Sequence, residues 1–271
     1  MPVLKKSTNV KAGVVALPPG VKDLVRADFR NEMWIQAIEA KGYRLAWSRT
    51  APCPCKSINE QTDQSDPNCP LCEGTGWIFF KPDGAVVNTK VIGPLDPIQS
   101  KFIGDHGAVI HGIMTGLSNQ QNALDAIGPW MQGMAMVTVR AENKLGYYDR
   151  ITALDSRIVY AQTLKSPEGT TLKTKYPVVQ ANLVRSVDRV YTEGADFDVV
   201  VGDIVWRPLL GPAPGTQLSC HYLTHPTYRI TEHPHMVRTT LTKFKVKQPL
   251  TPQGEPVDLP VQGVCRYEFL L

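Results

Sequence analysis

Four of the chain's six cysteines fall within twenty positions: Cys53 and Cys55 as Cys-X-Cys, thirteen intervening residues, then Cys69 and Cys72 as Cys-X-X-Cys. Thiolates in two close pairs suit a tetrahedral ion, because each pair spans one edge of the tetrahedron and the intervening loop brings the edges together. The spacing therefore predicts one structural zinc per chain, held by Cys53, Cys55, Cys69 and Cys72. Four sulfurs fill the shell and leave no position for water or substrate, so such an ion braces structure and does not catalyse. The stretch from Ser57 to Asn68 is polar and turn-prone, as expected of a loop gathered by a metal.

Gly74 and Gly76 follow the second pair and are expected to let the backbone turn tightly and aim N–H groups at sulfur. This CPLCEGTG segment resembles the CxxCxGxG zinc unit of the J-domain cochaperones, but it occurs once, without that family's tandem. A disulfide pair formed after release from the cell is the main alternative to zinc, and Cys-X-Cys is less typical of zinc than a second Cys-X-X-Cys. An iron–sulfur cluster lacks its usual serial spacing, and a redox-active pair lacks a βαβ context.

Other chemistry finds less support. His221, His225, His233 and His235 crowd one segment, but they lie in strand-like text with Pro breaks and no acidic residue recurs at ligand spacing. No phosphate-binding glycine loop, nucleophile elbow or zinc-protease helix motif occurs. Asp149, Asp155, Asp203 and Glu232 are scattered among turn and strand residues, without sign of a tuned acid–base pair. Cys220 shares a strand face with Leu218 and Tyr222, and Cys265 shares one with Tyr267 and Phe269. Both read as core thiols; a disulfide joining them is the lesser expectation.

The elements that must position the four thiols follow from periodicity. Residues 23–41 read as an amphipathic helix, with Val25, Phe29, Met33 and Ala37 at four-residue steps and Gly42 at its end. YRLAWSRTAP (43–52) reads as a strand entering the cysteine segment, and Trp77 to Phe80 as the strand leaving it, closed by a Pro82-Asp83-Gly84 turn. Strand text continues through VVNTKVIGP, AMVTVRA and SRIVYAQTL, with a short helix expected over 118–127, and through four or five more strands after Tyr176. The expected fold is mainly β with minor α: an N-terminal helix and zinc knuckle, then a two-lobed β-barrel or β-sandwich body. The divisions are a basic arm over 1–22, helix and first strand over 23–52, the knuckle over 53–82, and β lobes over 83–175 and 176–271.

Composition is that of an ordinary globular chain of 271 residues, 42% hydrophobic and 20% charged, dense in Pro and Gly. No run approaches the roughly 20 apolar residues of a membrane span, and no secretion signal is read at the start, so a soluble protein folded in a reducing cytoplasm is expected. Such a compartment favours metal over disulfide for paired cysteines. The net charge of +4 is carried by Lys5, Lys6, Lys11 and Lys22, with no acid before Asp23. An arm of this kind orders against an acidic partner or a nucleic-acid backbone, or stays a solvated tail.

Together, "RLAWSRTAPCPCKS", "DPNCPLCEGTGWIF", "GYYDRITALDSRIVY" and "CHYLTHPTYRITEHPHMVR" resemble head-to-tail connector or neck (collar or gateway) virion proteins of tailed bacteriophages. The resemblance implies a non-enzymatic virion component, assembled in the host bacterial cytoplasm, that forms a ring around the DNA channel between portal and tail. Its implied partners are its own copies, in a ring of about twelve, portal or connector and tail proteins, and channel DNA by non-specific contact; no membrane is implied. A zinc-ribbon nucleic-acid-binding protein is the alternative, disfavoured because Glu60, Asp63, Asp66 and Glu73 outnumber Lys56 in the knuckle. An enzyme lacks an open metal site or a nucleophile–base pair.

Overall fold

A computed structural model describes residues 31–55, 65–72, 74–85, 94–116, 133–233, 239–242, 255–258 and 260–270. The basic arm, the first part of the expected helix, the helix expected over 118–127, most of the VVNTKVIGP strand, and His235 lie outside them.

Helix α1 (Asn31–Lys41) ends where Gly42 donates its N–H to the Ile38 carbonyl at 2.9 Å. It lays the fully buried Ile38 on the outside of a closed barrel. Six antiparallel strands build that barrel in the cyclic order β1 (Tyr43–Pro52), β3 (Ala108–Gly116), β4 (Met134–Val139), β16 (Val261–Tyr267), β13 (Thr227–Glu232) and β5 (Arg150–Ala153), with β5 returning to β1. Closure removes free edges from this sheet core. Alternation along β1 sends Leu45 and Trp47 inward to meet Ile110, Val137, Val139, Ile151, Ile230 and Cys265. Gly112 is required on the inner face: a Cβ there would stand 2.7 Å from the Leu45 side chain. The outer half of β1 outlasts the barrel, and β2 (Trp77–Phe80) pairs with it from Arg49↔Phe80 to Pro52↔Trp77.

A second lobe is inserted between β5 and β13. Its sheets are β6 (Ile158–Lys165), β12 (Gln217–Thr224), β8 (Gln180–Arg185) and β9 (Val190–Tyr191), facing β10 (Phe197–Val200), β11 (Asp203–Trp206) and β7 (Thr171–Leu172). Between them Leu218, Cys220 and Tyr222 from alternate positions of β12 pack with Val184, Phe197, Ile204 and Trp206. A separate hairpin joins β14 (Thr239–Thr242) and β15 (Glu255–Asp258).

The fold is thus mainly β with a closed barrel, a short helix and a cysteine cluster, as the sequence predicts. The lobes are nested, however: the barrel takes strands from 43–153 and 227–267, so the boundary expected near 175 falls inside the inserted lobe. Cys220 and Cys265 are core thiols as expected, but each occupies a different core, which rules out a bond between them in this fold. Burial pushes their thiols up, to about 11 and about 12.

Helix α2 (Pro97–Ile103) pins the lobes together. Asp96 and Gln99 form a reciprocal capping box with Pro97 at the first helical position. Gln99 donates to the Leu154 carbonyl at 2.9 Å, and Lys101 reaches Asp203 of the inserted lobe at 2.6 Å. Phe102 meets the ring of His225 edge-on, while His225 Nδ1 lies 2.7 Å from the Ser156 carbonyl, joining the β12–β13 link to the β5–β6 link.

Candidate metal centre

The cysteine segment grows from the β1–β2 hairpin. Cys53 extends the ladder by one rung, its N–H donating to the Gly76 carbonyl at 2.9 Å. Pro54 and Cys55 then turn the chain away. On the return, Asp66 accepts from the Asn68 N–H through Oδ1 at 2.9 Å and from the Cys69 N–H through its carbonyl at 3.1 Å. Past Cys72, Thr75 ties back to the Cys72 carbonyl through its N–H at 2.9 Å and its hydroxyl at 2.6 Å. Gly74 and Gly76 have φ of +80° and +74°, conformations that a Cβ strains.

All four sulfurs converge, lying within 4.8 Å of one another. Cys53 Sγ stands 3.7 Å from Cys69 Sγ, and Cys55 Sγ stands 3.5 Å from Cys72 Sγ. A tetrahedral zinc with bonds of about 2.3 Å sets its sulfurs about 3.8 Å apart, so the donor set fits that ion in both chemistry and size. Cys53, Cys69 and Cys72 are buried, Cys55 is half-buried, and Ile78 packs beside them.

The N–H groups of Cys72 and Leu71 point at the Cys69 sulfur and bring its thiol down to about 7. Burial drives Cys55 up to about 12, against the pull of the Asp66 N–H. At Cys53 the Cys55 N–H lowers the thiol, but burial and the Cys69 and Cys72 sulfurs prevail and hold it above its ordinary value. This corrects one expectation: among the described residues, the N–H groups acting on sulfur are those of Cys55, Asp66, Leu71 and Cys72. The glycines supply the turns. Metal binding at this cluster must release the protons that the raised thiols retain.

A rigid platform supports the knuckle. Trp77 stacks on Tyr148 with ring centroids 4.5 Å apart, and Tyr148, at φ 61°, donates its N–H to the Ile230 carbonyl at 2.8 Å. Buried Asp149 accepts from Trp47 Nε1 at 2.9 Å, the Gly146 N–H at 2.7 Å and the Thr50 N–H at 3.1 Å. Phe79 lies beneath the guanidinium groups of Arg229 and Arg150, both ion-paired with Glu268. None of these platform residues was singled out for this role from sequence, since their partners lie far along the chain; the alternation of strand text was their nearest signal.

The remaining candidates hold structure. Asp155 pairs with Arg44, and Asp203 with Lys101. His221 lies on β12, half-buried; His233 sits edge-on to Tyr147 with Nδ1 3.3 Å from the Gln262 carbonyl. Among the described residues the histidines gather no metal-ligating group, and the four cysteines form the one such cluster. No helix among the described residues is long and apolar enough to cross a membrane. No protein-family model and no curated protein matches this chain.

Proposed function

We propose that this protein is a non-catalytic virion building block of the phage head-to-tail neck, a ring-forming subunit braced by one structural zinc. The observation that carries this reading is the state of the groups able to do chemistry. The clustered thiols offer a complete four-sulfur shell, and the carboxylates of buried Asp149 and half-buried Glu268 are taken up by hydrogen bonds and ion pairs that tie distant segments together. A protein of that kind acts through shape and association.

The inserted lobe supports association. Its sheets keep edge strands β6, β9, β10 and β7, and it exposes Val159, Val187, Val190, Val200 and Leu209, the last fully exposed. Rings of identical copies arise when such surfaces meet head to tail with a rotation that closes. The channel they surround would pass DNA between portal and tail, and the arm with Lys5, Lys6, Lys11 and Lys22 would reach an adjacent ring or the duplex.

Negative-stain imaging and light scattering of the zinc-loaded protein test this reading. Rings of uniform diameter are expected. A protein that stays monomeric at high concentration, or one that binds a short duplex at nanomolar levels with steep salt dependence, contradicts it; the latter favours the zinc-ribbon alternative.

A further inference from the structure

The cluster pairs its sulfurs across the two motifs. The close contacts join Cys53 to Cys69 and Cys55 to Cys72, each linking one end of the knuckle loop to the other. We infer that peroxide converts the metal centre into two crossed disulfides, Cys53–Cys69 and Cys55–Cys72, that keep the knuckle closed once the metal has gone. The inference rests on the cluster being a zinc site in the reduced protein, and it assigns that site a redox fate.

The geometry favours exchange over collapse. A disulfide needs its sulfurs near 2.05 Å, so each pair closes by roughly 1.5 Å through side-chain rotation, with the hairpin left in place. The supports of the loop do not depend on the ion: the Cys53 N–H bond to Gly76, the Thr75 bonds to Cys72 and the stacking of Trp77 on Tyr148 all persist. Pairing within Cys-X-Cys would close a cramped ring, and pairing within either motif would leave the two ends of the loop unjoined.

The chemistry balances with hydrogen peroxide as oxidant. In each pair one thiolate attacks the peroxide O–O bond, becoming a sulfenic acid as the first water leaves. The partner thiolate attacks that sulfur, forming the S–S bond and releasing the second water. Two thiolates, one peroxide and two protons thus give one disulfide and two waters, and two peroxides convert the whole cluster. The zinc departs as the hydrated ion. A reducing cytoplasm then favours the metal brace, and an oxidising exterior the covalent one.

The test treats the full-length protein with hydrogen peroxide in two forms, zinc-loaded and metal-free reduced. Zinc release is followed with a chromogenic chelator, and linkages are mapped by mass spectrometry after trypsin digestion without reductant. Trypsin cuts after Arg49 and Lys56, so crossed pairs tie the peptide holding Cys53 and Cys55 to the one holding Cys69 and Cys72. Fragmentation of the linked species then assigns the partners. The expected result is release of one zinc with loss of four thiols, the two crossed linkages in both forms, and an unchanged Trp77 environment by near-UV circular dichroism. Linkages within either motif, the opposite crossed pairing, or thiols that persist under excess peroxide overturn the inference. A preparation that never takes up zinc overturns the metal reading instead, while the metal-free arm still decides the pairing.

Discussion

Trp47 and Asp149, 102 residues apart in sequence, meet inside the protein where the indole Nε1 donates to Asp149 Oδ2 at 2.9 Å. The same carboxylate fixes the Thr50 and Gly146 N–H groups, so it fastens the outgoing end of β1 to the loop that carries Tyr148. Replacing it leaves the buried indole N–H and two half-buried backbone N–H groups without their acceptor. Asp149→Ala is expected to destabilise folding by about 3–5 kcal/mol, and Asp149→Asn by about 1–3 kcal/mol because shape and one acceptor survive. Urea unfolding of the two variants measures both, and equal losses would show that the carboxylate's acceptors are not what matters.

Removing zinc should loosen the knuckle and spare the barrel, since the sulfur cluster and the barrel core are separate groups of side chains. Cys72→Ser is expected to lower zinc affinity by more than about 100-fold, because even outer partners of a metal ligand contribute 10–100-fold. Competition against a chelator of known affinity measures the loss, and far-UV circular dichroism should show the strand signal preserved.

The thiols should report in two classes. Cys220 and Cys265 are fully buried in different cores with raised thiols, so they should resist a disulfide reagent in the folded protein. Of the six cysteines, four should react after chelation and all six only after denaturation. Rapid reaction of a fifth thiol in the folded state would place one of those cores at the surface.

Stability should fall on mild acidification. His111 is buried beneath α1 with neither ring nitrogen hydrogen-bonded, facing Asp155, Arg44 and Glu39. Burial holds it below its ordinary value of 6.5, and burial does the same for His225 between the lobes. The unfolded chain then binds more protons, so stability is full above pH 6.5 and is lost as pH falls through that value toward the lower folded-state one. At Asp155 burial acts upward, but the Arg44 contacts outweigh it and lower the carboxyl, so its contribution fades only below about pH 4. Urea midpoints between pH 8 and pH 5 should show the first loss, and His111→Leu should flatten it.

Local signals made the hairpin and its thiols legible. The strands over 43–52 and 77–80 follow from runs bounded by Pro and Gly, and the Cys pairs advertise their own convergence. Other features were hidden for physical reasons. Helix α2 is too short for periodicity, although Asp96, Pro97 and Gln99 spell its capping box. The nesting of the inserted lobe depends on β5 pairing with both β1 and β13, contacts that no window of sequence contains. The platform of Asp149, Tyr148, Arg229 and Glu268 is likewise assembled from segments far apart in the chain. Long-range pairing decides such features, and a single sequence carries them only as alternation.

The central claim, a closed four-sulfur brace that performs no reaction, is tested most directly by the absorption spectrum of the cobalt-substituted protein. One cobalt per chain is expected, with the intense visible bands and sulfur charge-transfer absorption of a tetrahedral tetrathiolate, unchanged when azide is added in excess. A spectrum that shifts with azide would reveal an open coordination position, and a protein that binds no cobalt would remove the brace altogether.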